Sequence, residues 1–132
     1  MAIANGAGGY QVGAGNTSEV VMGVQAAPQT ATSTATLTAA QVTGGLLVAN
    51  PSTSAATYTL PTAALLEAAV SNAKVDSTFR LDIVNLGTSS GALTIAAGTG
   101  ITIVGSVTVA ITSSASLLFR RTGEGAWTVY RV

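Results

Sequence analysis

Ten side chains carry formal charge: Glu19, Glu67, Asp76, Asp82 and Glu124 against Lys74, Arg80, Arg120, Arg121 and Arg131. Any acid–base chemistry must come from these, because the chain contains neither histidine nor cysteine. That removes the usual general base near neutral pH, thiolate nucleophiles, disulfides, and the common imidazole and thiolate metal ligands. Asp76 and Asp82 lie near each other, and Asp82 follows Arg80 by two residues on an expected strand. Without a cleft and a shifted pKa this is not an acid–base pair. It reads as exposed charge on a wet sheet face, worth ~0–1 kcal/mol.

The other motifs are weaker. Serine and threonine are plentiful, but no imidazole is present to activate them. Lys74, the sole lysine, follows an expected helix end, where a cation meets the helix dipole favourably. Gly6, Gly8, Gly9, Gly13 and Gly15 match a phosphate loop only in glycine number, since no strand precedes them and no Gly-Lys-Ser/Thr follows. Asn16-Thr17-Ser18 fits a glycosylation sequon, which a chain without a secretory signal does not use. The carboxylates are too scattered for a calcium loop. Trp127 and Tyr130 have the chemistry to stack a base or sugar, but alternation in the last strand makes Trp127 a core or interface residue first. The expectation is a non-enzymatic protein with no cofactor and no metal.

Composition points the same way. Charged residues are 8% of the 132, about a third of the usual share, so the surface is solvated by hydroxyls and backbone. Net charge is zero, which opposes self-association weakly and suits a subunit of an assembly. It also argues against nucleic acid, whose binders carry a basic excess. Apolar runs are broken by Gly, Thr or Ser well short of the ~20 residues a membrane helix needs, and Met1 to Tyr10 has no Lys or Arg for a signal peptide. A soluble chain without membrane partners is expected.

Two regions follow. Residues 1–36 are rich in Gly, Ala, Thr and Ser, with one strand-like run from Glu19 to Val24. They read as a disordered tail or as an extended arm that orders against a partner. The arm is preferred, because Val20, Val21, Met22 and Val24 need covering somewhere. Residues 37–132 read as one β domain. A helical turn at Thr38–Val42 stops at Gly44-Gly45. Strands are expected at Gly45–Asn50 and Ala56–Leu60, the latter burying Ala56, Tyr58 and Leu60. Thr62 caps a short helix from Ala63. From Thr78 on, apolar residues alternate with polar ones through strands with Phe79/Leu81/Ile83, Leu93/Ile95/Ala97, Ile101/Ile103, Val107/Val109/Ile111, Leu117/Phe119 and Trp127/Val129 inward. Gly123-Glu124-Gly125 turns the last hairpin. This spacing predicts an all-β fold, an antiparallel β-barrel or jelly-roll-like sandwich with one short helix.

From Tyr58 onward the chain resembles capsid decoration (cement) proteins and other small virion structural proteins of tailed bacteriophages. The residues concerned are Thr59-Leu60-Pro61-Thr62, Phe79-Arg80-Leu81-Asp82-Ile83-Val84-Asn85, Ala96 to Gly105, Phe119-Arg120-Arg121-Thr122-Gly123 and Trp127 to Val132. The resemblance implies a barrel or jelly-roll-like domain, commonly a homotrimer, whose N-terminal arm binds the major capsid protein on the exterior of a virion assembled in the host cytoplasm. Val20, Val21, Met22 and Val24 would be the arm's anchors. A head, neck or tail fibre module that binds host or glycan is the alternative. It would need Tyr58, Trp127 or Tyr130 exposed in a groove. An envelope hydrolase is disfavoured by the missing His and Cys.

Overall fold

The computed structural model describes residues 22–132. They form ten strands and two short helices: β1 (Gln29–Ala31), β2 (Ala35–Thr36), α1 (Ala39–Thr43), β3 (Leu46–Ala49), β4 (Ala56–Thr59), α2 (Ala63–Ala69), β5 (Thr78–Asn85), β6 (Leu93–Ala96), β7 (Ile101–Val104), β8 (Thr108–Val109), β9 (Ser114–Gly123) and β10 (Ala126–Arg131). Strand dominates and helix is scarce, as the alternating pattern requires.

The strands divide between a six-stranded sheet, β1-β3-β5-β9-β10-β7, and a four-stranded sheet, β2-β4-β6-β8. From β1 to β6 the chain alternates between them. Each passage lays one strand on the first sheet and the next on the second, so neighbours within a sheet lie a full circuit apart. They therefore run the same way: β1, β3 and β5 are parallel, and so are β2, β4 and β6. β7 also joins β10 in parallel. Only β5–β9, β9–β10 and β6–β8 are antiparallel.

This corrects the antiparallel expectation. Alternation specifies which side chains face inward, but strand direction depends on what lies between partners. Here α1 and α2 sit in the return passages, and a parallel neighbour needs a crossover of this kind. The ordered sheet also starts earlier than Leu37, since β1 and β2 belong to the two sheets.

Local signals are met where the chemistry is local. The Thr38 side chain accepts from the Gln41 amide, and the Gln41 side chain accepts from the Thr38 amide, making a capping box for α1; Gly44 closes that helix. Thr62 caps α2 by accepting from Leu65 N–H. Alone, helices this short are unstable, so both depend on Val42, Ala63 and Leu66, which are buried in the core.

That core lies between the sheets. Leu47, Ala49, Leu81, Ile83, Leu117, Phe119, Trp127 and Val129 enter from one side, and Ala56, Tyr58, Leu93, Ile95 and Val109 from the other. Phe79 stacks on Phe119 with centroids 4.7 Å apart, and meets Trp127 edge-on at 5.6 Å. Val107, Ile111 and Ala97, expected inward, are exposed. Val107 and Ile111 flank β8, whose ladder has only two residues, and Ala97 lies just past the end of β6. Gly100 adopts φ +83° where the β6–β7 turn meets the β9–β10 turn, and a Cβ there would stand 2.6 Å from the Gly125 carbonyl oxygen.

Candidate functional site

The expected anchors divide between two regions. Val20 and Val21 lie outside the described residues. Met22 and Val24 are in a strand-free segment ahead of β1 and are almost wholly exposed, at 84% and 103%. The segment is tied to the body at Gln25, whose side-chain amide donates to Gly44 O at 2.7 Å. Two apolar residues thus stand clear of the core, next to the polar tether at Gln25.

The body beside this segment is a poor acceptor for an added strand. β1 and β2 are the edge strands of the two sheets, but they have only three and two residues. On β1, Thr30 O is already taken, accepting from the Gln41 side chain at 2.8 Å. Edges this short, one of them with a carbonyl already occupied, discourage pairing. At this end of the molecule the large exposed apolar side chains are in this segment and not on the edge strands.

Two arginines form structural clasps. Adjacent on β9, Arg120 and Arg121 point to opposite faces. Arg120 pairs with Asp76 at 2.6 Å and also donates to the Tyr130 hydroxyl. These partners hold its guanidinium pKa above the ordinary value. Arg121 pairs with Glu67 at 2.9 Å and donates to Ala73 O. The Arg121 hydrogen bond, and then the Gly125 amide, hold the Glu67 carboxyl below its ordinary pKa. Asp82, expected beside Arg80, accepts instead from the Ser116 hydroxyl across the strand pair. Lys74 makes no ion pair among the described residues. No group of three or more carboxylates could hold a metal ion among the described residues, and none of their helices is long and apolar enough to cross a membrane.

Asn85 is the feature the sequence reading missed. It shares the inward parity of Phe79, Leu81 and Ile83 and is 1% exposed. Its Nδ2 donates to the carbonyls of Gly91, Val109 and Ala110, and its Oδ1 accepts from Gly87 N–H. One side chain thus knots two loops to the end of β5. The signal was present: a polar residue in an otherwise apolar register. On the outer side of this knot is an open depression of about 380 Å³, lined by Val84, Asn85, Leu86, Thr112, Ser113 and Ser114. It has hydroxyls and apolar surface but no ionisable group.

No protein family, curated protein or solved structure matches the chain. The reading therefore rests on the residues themselves. The aromatics that a glycan-binding module would need are not presented: Tyr58 and Trp127 are buried, and Tyr130 is half-buried beside Arg120.

Proposed function

We propose that this chain is a non-enzymatic virion structural protein that binds and stabilises a capsid lattice, as a decoration or cement protein does. The supporting observation is the exposed pair Met22 and Val24, standing ahead of a rigid two-sheet body whose own edge strands are short, one with a carbonyl already occupied. Such a segment serves as a donor: its apolar residues are buried against a neighbour and its backbone pairs at a sheet edge of the major capsid protein. The resemblance from Tyr58 onward and the scarcity of charge support the same reading, with the protein on the particle exterior. We read the body as a sandwich of two sheets. A homotrimer would present several arms at once and raise avidity without new contacts.

The test is co-sedimentation with capsids stripped of this protein. Met22→Asp combined with Val24→Asp should abolish binding while the body stays folded, because both side chains are solvent-exposed. Full occupancy by the double variant refutes the arm as the grip. A truncation must stop before Gln29, since Thr32 O accepts the Tyr58 hydroxyl proton at 2.9 Å and β1 and β2 are part of the sheets. Hundreds of copies per particle are expected; a handful would indicate a head, neck or tail appendage.

A further inference from the structure

The outward faces of the two sheets are solvated differently. The four-stranded sheet points Thr57, Thr94 and Thr108 outward in one cross-strand row, with Thr36 and Thr59 in the next. Hydroxyls cover that face. The six-stranded sheet instead turns out Leu46, Val48, Val84, Leu118 and Tyr130, all half-buried, with Val104 and Val132 48% and 59% exposed.

The centre of this second face is two adjacent cross-strand rows. One runs Arg80–Leu118–Tyr130–Val104. The other runs Asp82–Ser116–Val132, with Val132 set beside Ser116 by its backbone hydrogen bond. Arg80 forms no ion pair among the described residues, and Asp82 is bonded only by the Ser116 hydroxyl. The rows are therefore complementary position by position. The cation of one stands beside the anion of the other, the large Leu118 beside the small Ser116, and Tyr130 beside Val132.

We propose that this face is a two-fold contact between copies of the chain, packed sheet on sheet. A two-fold axis in the plane of contact, perpendicular to the strands and midway between the rows, keeps β5 over β5, β9 over β9 and β10 over β10 while reversing strand direction. It sets each Arg80 against the other copy's Asp82, each Leu118 above the hollow at Ser116, and each Tyr130 against Val132. Sheets packed this way lie about 10 Å apart, within reach of facing side chains. The proposal is independent of the capsid reading: it concerns the outer sheet face, not the arm.

The test is sedimentation equilibrium on the full chain. Wild type should form two-fold dimers or, where the homotrimer also forms, hexamers in which two trimers meet through this contact. Arg80→Asp alone, or Asp82→Arg alone, sets like charges together twice per contact and should weaken association by roughly tenfold or more. The double exchange, Arg80→Asp with Asp82→Arg, should restore it. The two single variants, mixed, should form a heterodimer that neither forms alone. Both side chains are exposed, and unchanged far-UV circular dichroism controls for folding. The chain has no cysteine, so a mixture of Arg80→Cys and Asp82→Cys should also be cross-linked as the heterodimer by a short bis-maleimide, which spans the gap between packed sheets, more readily than either variant alone. A monomer up to about 1 mM, or a trimer indifferent to both single reversals, overturns the proposal. So does a double exchange no better than the singles. Loss of particle binding by the arm variants with this contact intact would separate the two claims.

Discussion

Glu67 Oε2 accepts from Arg121 Nε at 2.9 Å and from the Gly125 amide at 2.8 Å. One carboxylate on α2 thereby fastens the helix to the final hairpin, 54 and 58 residues further along the chain. The Arg121 guanidinium extends the clasp to Ala73 O, beyond the end of α2. A helix of two turns has little stability of its own, so this clasp and the burial of Ala63 and Leu66 hold it in place.

The clasp makes stability pH-dependent. The Glu67 carboxyl is held below its ordinary value of 4.5 by Arg121 first and Gly125 second. A depressed carboxylate contributes stability above its unfolded pKa and loses it as pH falls through the folded one. Glu67→Gln should therefore lower the melting midpoint at pH 7, and the gap to wild type should close as pH drops below about 4.5. A gap that persists unchanged at pH 3 would mean the carboxylate charge contributes nothing.

Asn85→Leu should be among the costliest single changes. It strands the carbonyls of Gly91, Val109 and Ala110 and the Gly87 amide near the core. Unsatisfied buried polar groups cost about 1–3 kcal/mol each, so a loss of roughly 3 kcal/mol or more is expected by urea unfolding. Hydrogen exchange should speed up at Gly87 and Gly91 first. Gly91→Ala should loosen the same knot, because its Cβ would come within 2.3 Å of the Ser52 carbonyl oxygen.

Trp127 presents the opposite case. Its ring is 1% exposed, and its Nε1 is the one buried side-chain nitrogen or oxygen among the described residues without a hydrogen-bond partner. Trp127→Phe removes that orphan donor while keeping an aromatic against Phe79, and should cost under about 1.5 kcal/mol. Trp127→Ala should cost about 3–5 kcal/mol. Similar losses for both would mean the indole nitrogen is satisfied in solution.

Tyr58 ties the first circuit of chain to the core by donating to Thr32 O. Burial raises the phenol's pKa. Stability from the neutral phenol is fully present below the unfolded pKa of about 10 and is lost as pH rises through the folded value. Tyr58→Phe should cost about 0.5–1.5 kcal/mol at neutral pH and flatten the alkaline loss. An unchanged alkaline limb would assign it to other groups.

Much of the local structure is legible in the sequence. Thr38 and Thr62 were readable as caps because capping needs only a hydroxyl and the next turn of backbone. The burial of Ala56, Tyr58, Leu60, Leu81, Ile83, Leu117, Phe119, Trp127 and Val129 was readable because strand side chains alternate by geometry. The scarcity of charge and the absence of His and Cys limited the available chemistry in the same direct way. Only the tertiary structure decided strand direction, since parallel or antiparallel pairing depends on the circuit between partners and leaves the alternation untouched. It also decided which carboxylate meets which arginine. Asp82 is nearest Arg80 along the chain, but the ion pairs formed are Arg120 with Asp76 and Arg121 with Glu67, because the return of β9 beside β5 sets distances that sequence separation does not. The matched rows on the outer face of the six-stranded sheet have the same origin: Arg80, Leu118 and Tyr130 become neighbours only through strand register, and no local pattern encodes that.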